Sequence, residues 1–245
     1  MKKEGSGTWC RQKNLTLSKI ISIHRVEYFR AFESALDGYM RTGIILSGGR
    51  SSRLGQDKGL TDLDGKPLIS WVVDLLRGVT DEIIVVVGSE ENIPLYWAVV
   101  PDDVRVIPDC YQEDSPLIGL ISGLRAARGE YAAICACDMP FVVPEILEML
   151  FCVSYGLNGS LLVKSDGWIE PIPSVYHVSK CLDYAEVLRG LGEMRIRKVL
   201  ETMSDTMILS VEKLRLIDPE LISFFDLDTL ESVEAAKRRL LNKDN

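Results

Sequence analysis

The sequence predicts an α/β fold, a mostly parallel sheet enclosed between two layers of helices, and three observations carry that expectation. Short apolar runs suited to buried strands alternate along the chain with stretches of helical periodicity, the pattern of strand–helix crossovers. The first such run, Ile44 to Leu46, breaks directly into paired glycines, Gly48 and Gly49, as strands do where they open onto a ligand-binding rim. The chain has 245 residues, 47% of them hydrophobic and 26% charged, enough for one large α/β domain with a substantial core.

Composition narrows the function. A formal net charge of -8 works against a surface built for nucleic-acid backbones, which reward clustered Lys and Arg, so no nucleic acid partner is expected. Six cysteines, at 10, 110, 135, 137, 152 and 181, lack the CxxC spacing of a zinc site and read as packing residues in a reducing cytoplasm. No apolar run approaches the roughly 20 residues that span a bilayer, and the N-terminus lacks a signal-peptide pattern, so no membrane partner is expected.

Residues 1–40 read as an N-terminal extension, partly disordered or carrying one added helix, ahead of a single domain over 41–245. Within the stretch Thr42 to Leu60, TGIILSGGRSSRLGQDKGL, the two glycines free main-chain N–H groups for close approach of a ligand. Arg50, Arg53 and Lys58 then place three cations in one loop of an acidic chain. A solvated turn is the bland reading of three such charges. Position after a buried strand favours a phosphate site instead. Neither GxxxxGK[ST] nor GxGxxG is present, which disfavours the common phosphate loop and a dinucleotide-dependent dehydrogenase.

The segment LSGGRSSRLGQDKGL resembles the N-terminal signature of the molybdenum cofactor guanylyltransferase-like nucleotidyltransferases, LAGGxSxRMGxDKxL, with Gly48, Gly49, Ser51, Arg53, Gly55, Asp57, Lys58 and Leu60 in register. Ser47 and Leu54 replace the usual alanine and methionine. The resemblance implies a Rossmann-like sheet of the nucleotide-diphospho-sugar transferase type.

Later elements follow in order. Leu68, Trp71, Val72, Leu75 and Leu76 form one helical stripe, with Pro67 before it and Gly78 after it. Asp81 to Val87 reads as a second strand ending at Gly88 and Ser89, and Val104 to Ile107 as a third closing on Asp109. Their ends are expected on the same rim as Gly48. SPLIGLISGL, Ser115 to Leu124, resembles the family's GPLAGxxxGL, with Ser115 either standing in for the leading glycine or acting as an N-cap. Tyr131 to Ala136 reads as a fourth strand running into CDMP at Cys137 to Pro140. Asp138 is there a helix cap, a turn aspartate or, as the similar family segment CDMPF implies, a metal ligand. Ser160 to Lys164 reads as a strand turning through Asp166 and Gly167 into WIEPIPSVYH. Asp228 and Glu231 have capping-box spacing before a closing helix that buries Val233 and Ala236, and Asp226 and Asp228 stand where the family has asparagines.

The resemblance implies transfer of GMP from GTP to the phosphate of molybdopterin, the molybdenum cofactor, with release of pyrophosphate. In that reading Leu46, Ser47, Gly48, Gly49, Ser89 and Asp109 line the nucleotide site, Arg53 and Lys58 meet the triphosphate, and Asp138 holds Mg²⁺. Glu170 and Arg195 fall on the acceptor side, Glu170 replacing the usual Gln or His. The alternatives are a same-fold transferase acting on another nucleotide, sugar phosphate or phospholactate, and a non-catalytic nucleotide-binding cofactor chaperone.

Overall fold

The computed structural model describes residues 39–48 and 57–241. The expected extension therefore lies outside the described residues except for Tyr39 and Met40. Strand β1 (Arg41–Ser47) is buried from Thr42 onward, as its apolar run requires. A 3₁₀ turn (Lys58–Leu60) and a short hairpin, β2 (Asp62–Leu63) with β3 (Lys66–Pro67), lead into α1 (Leu68–Arg77). Next come β4 (Glu82–Val87), the short α2 (Ile93–Trp97), β5 (Arg105–Pro108), α3 (Pro116–Ala126) and β6 (Tyr131–Ala136). The second half comprises α4 (Pro144–Ser154), β7 (Gly159–Val163), β8 (Ile169–His177), α5 (Val178–Gly190), α6 (Ile196–Thr202), β9 (Thr206–Ser210) and α7 (Leu230–Leu241).

Among the described residues a seven-stranded sheet has the order β5-β4-β1-β6-β8-β7-β9. Strands β5, β4, β1 and β6 are parallel, so Pro108, Val87, Ser47 and Ala136 end on one rim. Strand β8 runs antiparallel to both β6 and β7. The reversal comes from the tight turn through Gly167, at φ 83°, which returns the chain beside β7 rather than through a helical crossover. Because β8 is reversed, its first residues overhang the same rim at which β6 ends.

Two cores bury the two faces of this sheet. Ile69, Val72, Val73 and Leu76 of α1 join Ile146, Leu147 and Leu150 of α4 on one side. Leu117, Leu120, Ile121 and Leu124 of α3, with Cys181 and Ala185 of α5 and Val199 and Leu200 of α6, cover the other. A third, smaller cluster seats Val233 and Ala236 of α7 on Leu63, Leu68 and Leu227. This last contact matters functionally, because it brings the end of the chain back to the rim.

Several boundaries differ by a residue from those expected. One difference has a chemical cause. The N-terminus of α7 is capped by Thr229, whose Oγ1 accepts from Ser232 N at 3.1 Å while Ser232 Oγ accepts from Thr229 N at 3.1 Å. The expected Asp228 cap is not used, because the Asp228 carboxylate turns to Lys58 instead. Among the described residues no helix is long and apolar enough to cross a membrane.

Candidate active site

The site grows from the ends of β1, β4, β5 and β6. At the end of β1 the backbone passes so close to its neighbours that a Cβ on Gly48 would lie 3.4 Å from Asp109 Oδ2 and 3.7 Å from Gly88 N. The expected convergence of Gly48, Gly88 and Asp109 is thus present. Gly119 of α3 closes the same corner, its would-be Cβ lying 3.7 Å from Asp109 Oδ1. That oxygen is buried and has no hydrogen-bond partner. Burial raises the Asp109 carboxyl to about 6; its bond to Ser122 opposes the rise and the charge of Asp114 adds to it.

Lys58 stands across the rim in the 3₁₀ turn, and its ammonium pairs with both Asp138 and Asp228. Asp138 lies two residues past the end of β6, as expected, and Asp228 arrives just before α7, 170 positions from Lys58 in sequence. Burial works against the Lys58 charge, but the two carboxylates more than offset it and raise its pKa, so the ammonium is retained at neutral pH. Leu227 N donates to Asp138 O at 3.1 Å and ties the segment carrying Asp226 and Asp228 to the Asp138 loop. Asp226 is held up to about 6, by burial first and then by the like charges of Asp138, Asp228 and Glu170.

The remaining expected residues divide. Leu46 is buried, and its carbonyl accepts from Cys137 N at 3.1 Å. The Ser47 hydroxyl turns to Tyr96 OH at 2.5 Å, and Ser89 Oγ donates to Asn92 Oδ1 at 2.6 Å. Glu170, on the overhanging start of β8, pairs with Lys164 and acts electrostatically on Asp226, which links it to the Asp138 cluster. Arg195 is not drawn in. Its guanidinium is exposed and held by Glu193, with Nε 2.8 Å from Oε1. Gly49 and Arg53, with Arg50, lie outside the described residues.

Hard-cation chemistry suits the donors present. Asp138 Oδ1 is buried with no partner, and Asp226 and Asp228 add carboxylate oxygens beside it. Among the described residues no three His, Cys, Asp or Glu side chains form a ready-made metal cage. Mg²⁺ does not need one, since one or two carboxylates and substrate phosphate oxygens are its usual partners. Two residues bonded to this rim had no site reading from the sequence. Asp57 was legible only as part of the motif, and Tyr96 carries no motif at all.

A lysine bound to two carboxylates on a rim of parallel strand ends, with the unpartnered carboxylate oxygen of Asp109 on the same rim, is an arrangement suited to a charged ligand on an α/β sheet. The MobA-like NTP transferase domain model matches residues 43–207. The chain is 32% identical over 201 residues to the probable molybdenum cofactor guanylyltransferase of Methanosarcina acetivorans, spanning 80% of this chain and 89% of that one. It is also 32% identical over 198 residues to the molybdenum cofactor guanylyltransferase of Desulfosudis oleivorans, spanning 80% and 94%. Molybdopterin-guanine dinucleotide biosynthesis protein A from Archaeoglobus fulgidus superposes with a TM-score of 0.69 at 28% identity, covering 82% of this chain and 99% of that one. The fold alone is shared with 4-diphosphocytidyl-2C-methyl-D-erythritol synthase of Anaerococcus prevotii, at 13% identity and a TM-score of 0.62, covering 85% and 99%. The chain belongs to the MobA-like NTP transferase family, and is a nucleotidyltransferase.

Proposed function

We propose that this protein transfers GMP from GTP to the phosphate of molybdopterin, releasing pyrophosphate and forming the guanine dinucleotide form of the molybdenum cofactor. The observation that carries the reading is the pairing of Lys58 with Asp138 at the rim where Gly48 meets Asp109. In the reaction an oxygen of the acceptor phosphate bonds to the α-phosphorus of GTP and the bond from that phosphorus to the bridging oxygen of the β-phosphate breaks. The acceptor phosphate is already ionised near neutral pH, so no protein nucleophile or histidine is required.

Catalysis is then positioning and electrostatics. The N–H groups of the glycine turn from Gly48 to Gly49, with Arg53, hold the triphosphate. Lys58 is cationic and held at the rim, and it neutralises charge about the α-phosphate. The Asp109 carboxylate, whose Oδ1 is unpartnered, accepts from the N1 and N2 donors of guanine, in a corner with Leu46, Ser47 and Ser89. Asp138, with Asp226 or Asp228, holds Mg²⁺, which when bound supplies Lewis-acid stabilisation of the phosphate charge. Glu170 lies on the acceptor side, and Arg195 reaches the acceptor only by leaving Glu193. A cytoplasmic setting is consistent with the buried thiols of Cys135, Cys137 and Cys181.

The test is incubation with GTP, ATP or CTP, Mg²⁺ and molybdopterin, followed by mass measurement of the product and assay of pyrophosphate. A guanine dinucleotide product from GTP supports the reading. A product from CTP alone reassigns the base, and no pyrophosphate above background would make this a nucleotide-binding module.

A further inference from the structure

A fully buried phenol stands between the end of β1 and the turn that carries Lys58. Tyr96 lies on α2, which follows β4, yet its hydroxyl meets two side chains from elsewhere in the chain. It is 2.5 Å from Ser47 Oγ, at the last residue of β1, and it donates to Asp57 Oδ1. Asp57 is the N-cap of the Lys58 turn, and the same Oδ1 accepts from Gly59 N at 3.2 Å. The second carboxylate oxygen accepts from Asn92 Nδ2 at 3.1 Å, and Asn92 Oδ1 accepts from Ser89 Oγ.

The polarity of this chain of bonds follows from its end. An ionised carboxylate only accepts, so the single phenolic hydrogen is committed to Asp57, and Ser47 must donate to the phenolic oxygen. The run Ser47 to Tyr96 to Asp57 therefore points one way and ends on charge, where each bond polarises the next. Volume alone does not explain a tyrosine here. A phenylalanine would fill the ring's place without the cost of burying a hydroxyl. The packing leaves no slack either, since a Cβ on Gly59 would fall 2.5 Å from both Ser47 Oγ and Tyr96 OH.

We propose that Tyr96 is a positioning residue for Lys58: its hydroxyl fastens the capping aspartate of the lysine turn to the end of β1, and so sets where the ammonium meets the nucleotide phosphates. Asn92 shares the task from the other carboxylate oxygen. For its kinetic part the inference rests on the nucleotidyl-transfer reading above.

The variant Tyr96→Phe tests it, because the ring is kept and only the hydroxyl is lost. Exchange of the Gly59 amide with deuterium should quicken by about tenfold or more, while amides of β1 and β6 keep their protection. Turnover should fall by about tenfold or more and KM for GTP should rise, with KM for the acceptor changed less than about twofold. Combined with Asp57→Ala, Tyr96→Phe should add little further loss, because both break the same bond. Should Tyr96→Phe fail to fold, Asn92→Ala is expected to give the same exchange and kinetic pattern in weaker form. Unchanged Gly59 exchange in the folded variant, an equal change in both KM values, or strictly additive losses with Asp57→Ala would overturn the inference. Wild-type protein inert toward GTP and molybdopterin would remove the reaction assigned above, and the exchange measurement would still decide the role of Tyr96.

Discussion

At the scale of single residues, Lys58 and Asp138 carry the most specific expectation. Each is bound to the other at the rim, so removing Lys58 leaves Asp138 and Asp228 without their cation, and removing Asp138 leaves Lys58 with Asp228 alone. Lys58→Ala or Asp138→Ala should lower turnover by at least ~100-fold, equivalent to roughly 2.7 kcal/mol of transition-state stabilisation. Steady-state pyrophosphate release from protein with an unaltered circular dichroism spectrum is the measurement, and near-wild-type rates would exclude these residues from the mechanism. Asp109 gives a pH prediction. Its carboxyl is raised to about 6, so the folded protein holds that proton more tightly than the unfolded chain does. The stability due to the proton is full below the ordinary carboxylate value and is lost as pH rises through about 6. The guanine contact proposed for Asp109 needs the ionised form, so on that proposal GTP affinity should weaken as pH falls through about 6. Asp226 titrates in the same range, so the Asp109 share is the part of the pH dependence that disappears in Asp109→Asn. A titration of nucleotide affinity on both proteins separates the two.

At the scale of elements, α3 shows how a helix is fitted to a sheet to make a site. Ser115 caps it, accepting from Leu117 N at 3.2 Å, and donates to Met194 O at 2.7 Å just before α6. The N-cap reading of Ser115, open from sequence, is the one realised. Gly119 and Gly123 fall four apart on one face, and both press on the central strands. A Cβ on Gly123 would stand 2.5 Å from Ile44 Cγ2 and 3.3 Å from Val86 Cγ2. Gly123→Ala gains about 1 kcal/mol of helix propensity but meets an overpacking cost of about 1–3 kcal/mol, so net destabilisation is expected. A lower urea midpoint with an unchanged slope would show it. A stabilised variant would mean that α3 can lift from β1 without cost. The helix at SPLIGLISGL was implied by its resemblance to GPLAGxxxGL, whereas the identity of its partner strand was not readable in the sequence.

At the scale of the whole molecule, the site exists only because segments far apart are folded onto one rim. Lys58 is 80 positions from Asp138 and 170 from Asp228. A ligand that bridges them stabilises every segment at once, so GTP with Mg²⁺ should raise the melting temperature, by the equivalent of about 2.7 kcal/mol at a hundredfold excess over Kd. Calorimetry with and without a chelator checks this, and an unshifted transition would argue against nucleotide binding at the rim. The sequence by itself determined the parallel β1–β4–β5–β6 half of the sheet, the shared rim of Gly48, Gly88 and Asp109, and the meeting of Lys58 with Asp138. Those depend on local runs of apolar residues and on a dense motif, information contained within a few consecutive positions. Only the tertiary structure decided that β8 runs back antiparallel, that Asp228 joins Lys58 while Thr229 caps α7, that Arg195 is held by Glu193, and that Tyr96 meets both Ser47 and Asp57. Each of those is a choice among partners distant in the chain or among neighbouring polar groups, settled by packing and by charge once the sheet has formed, and no periodicity along the sequence encodes it.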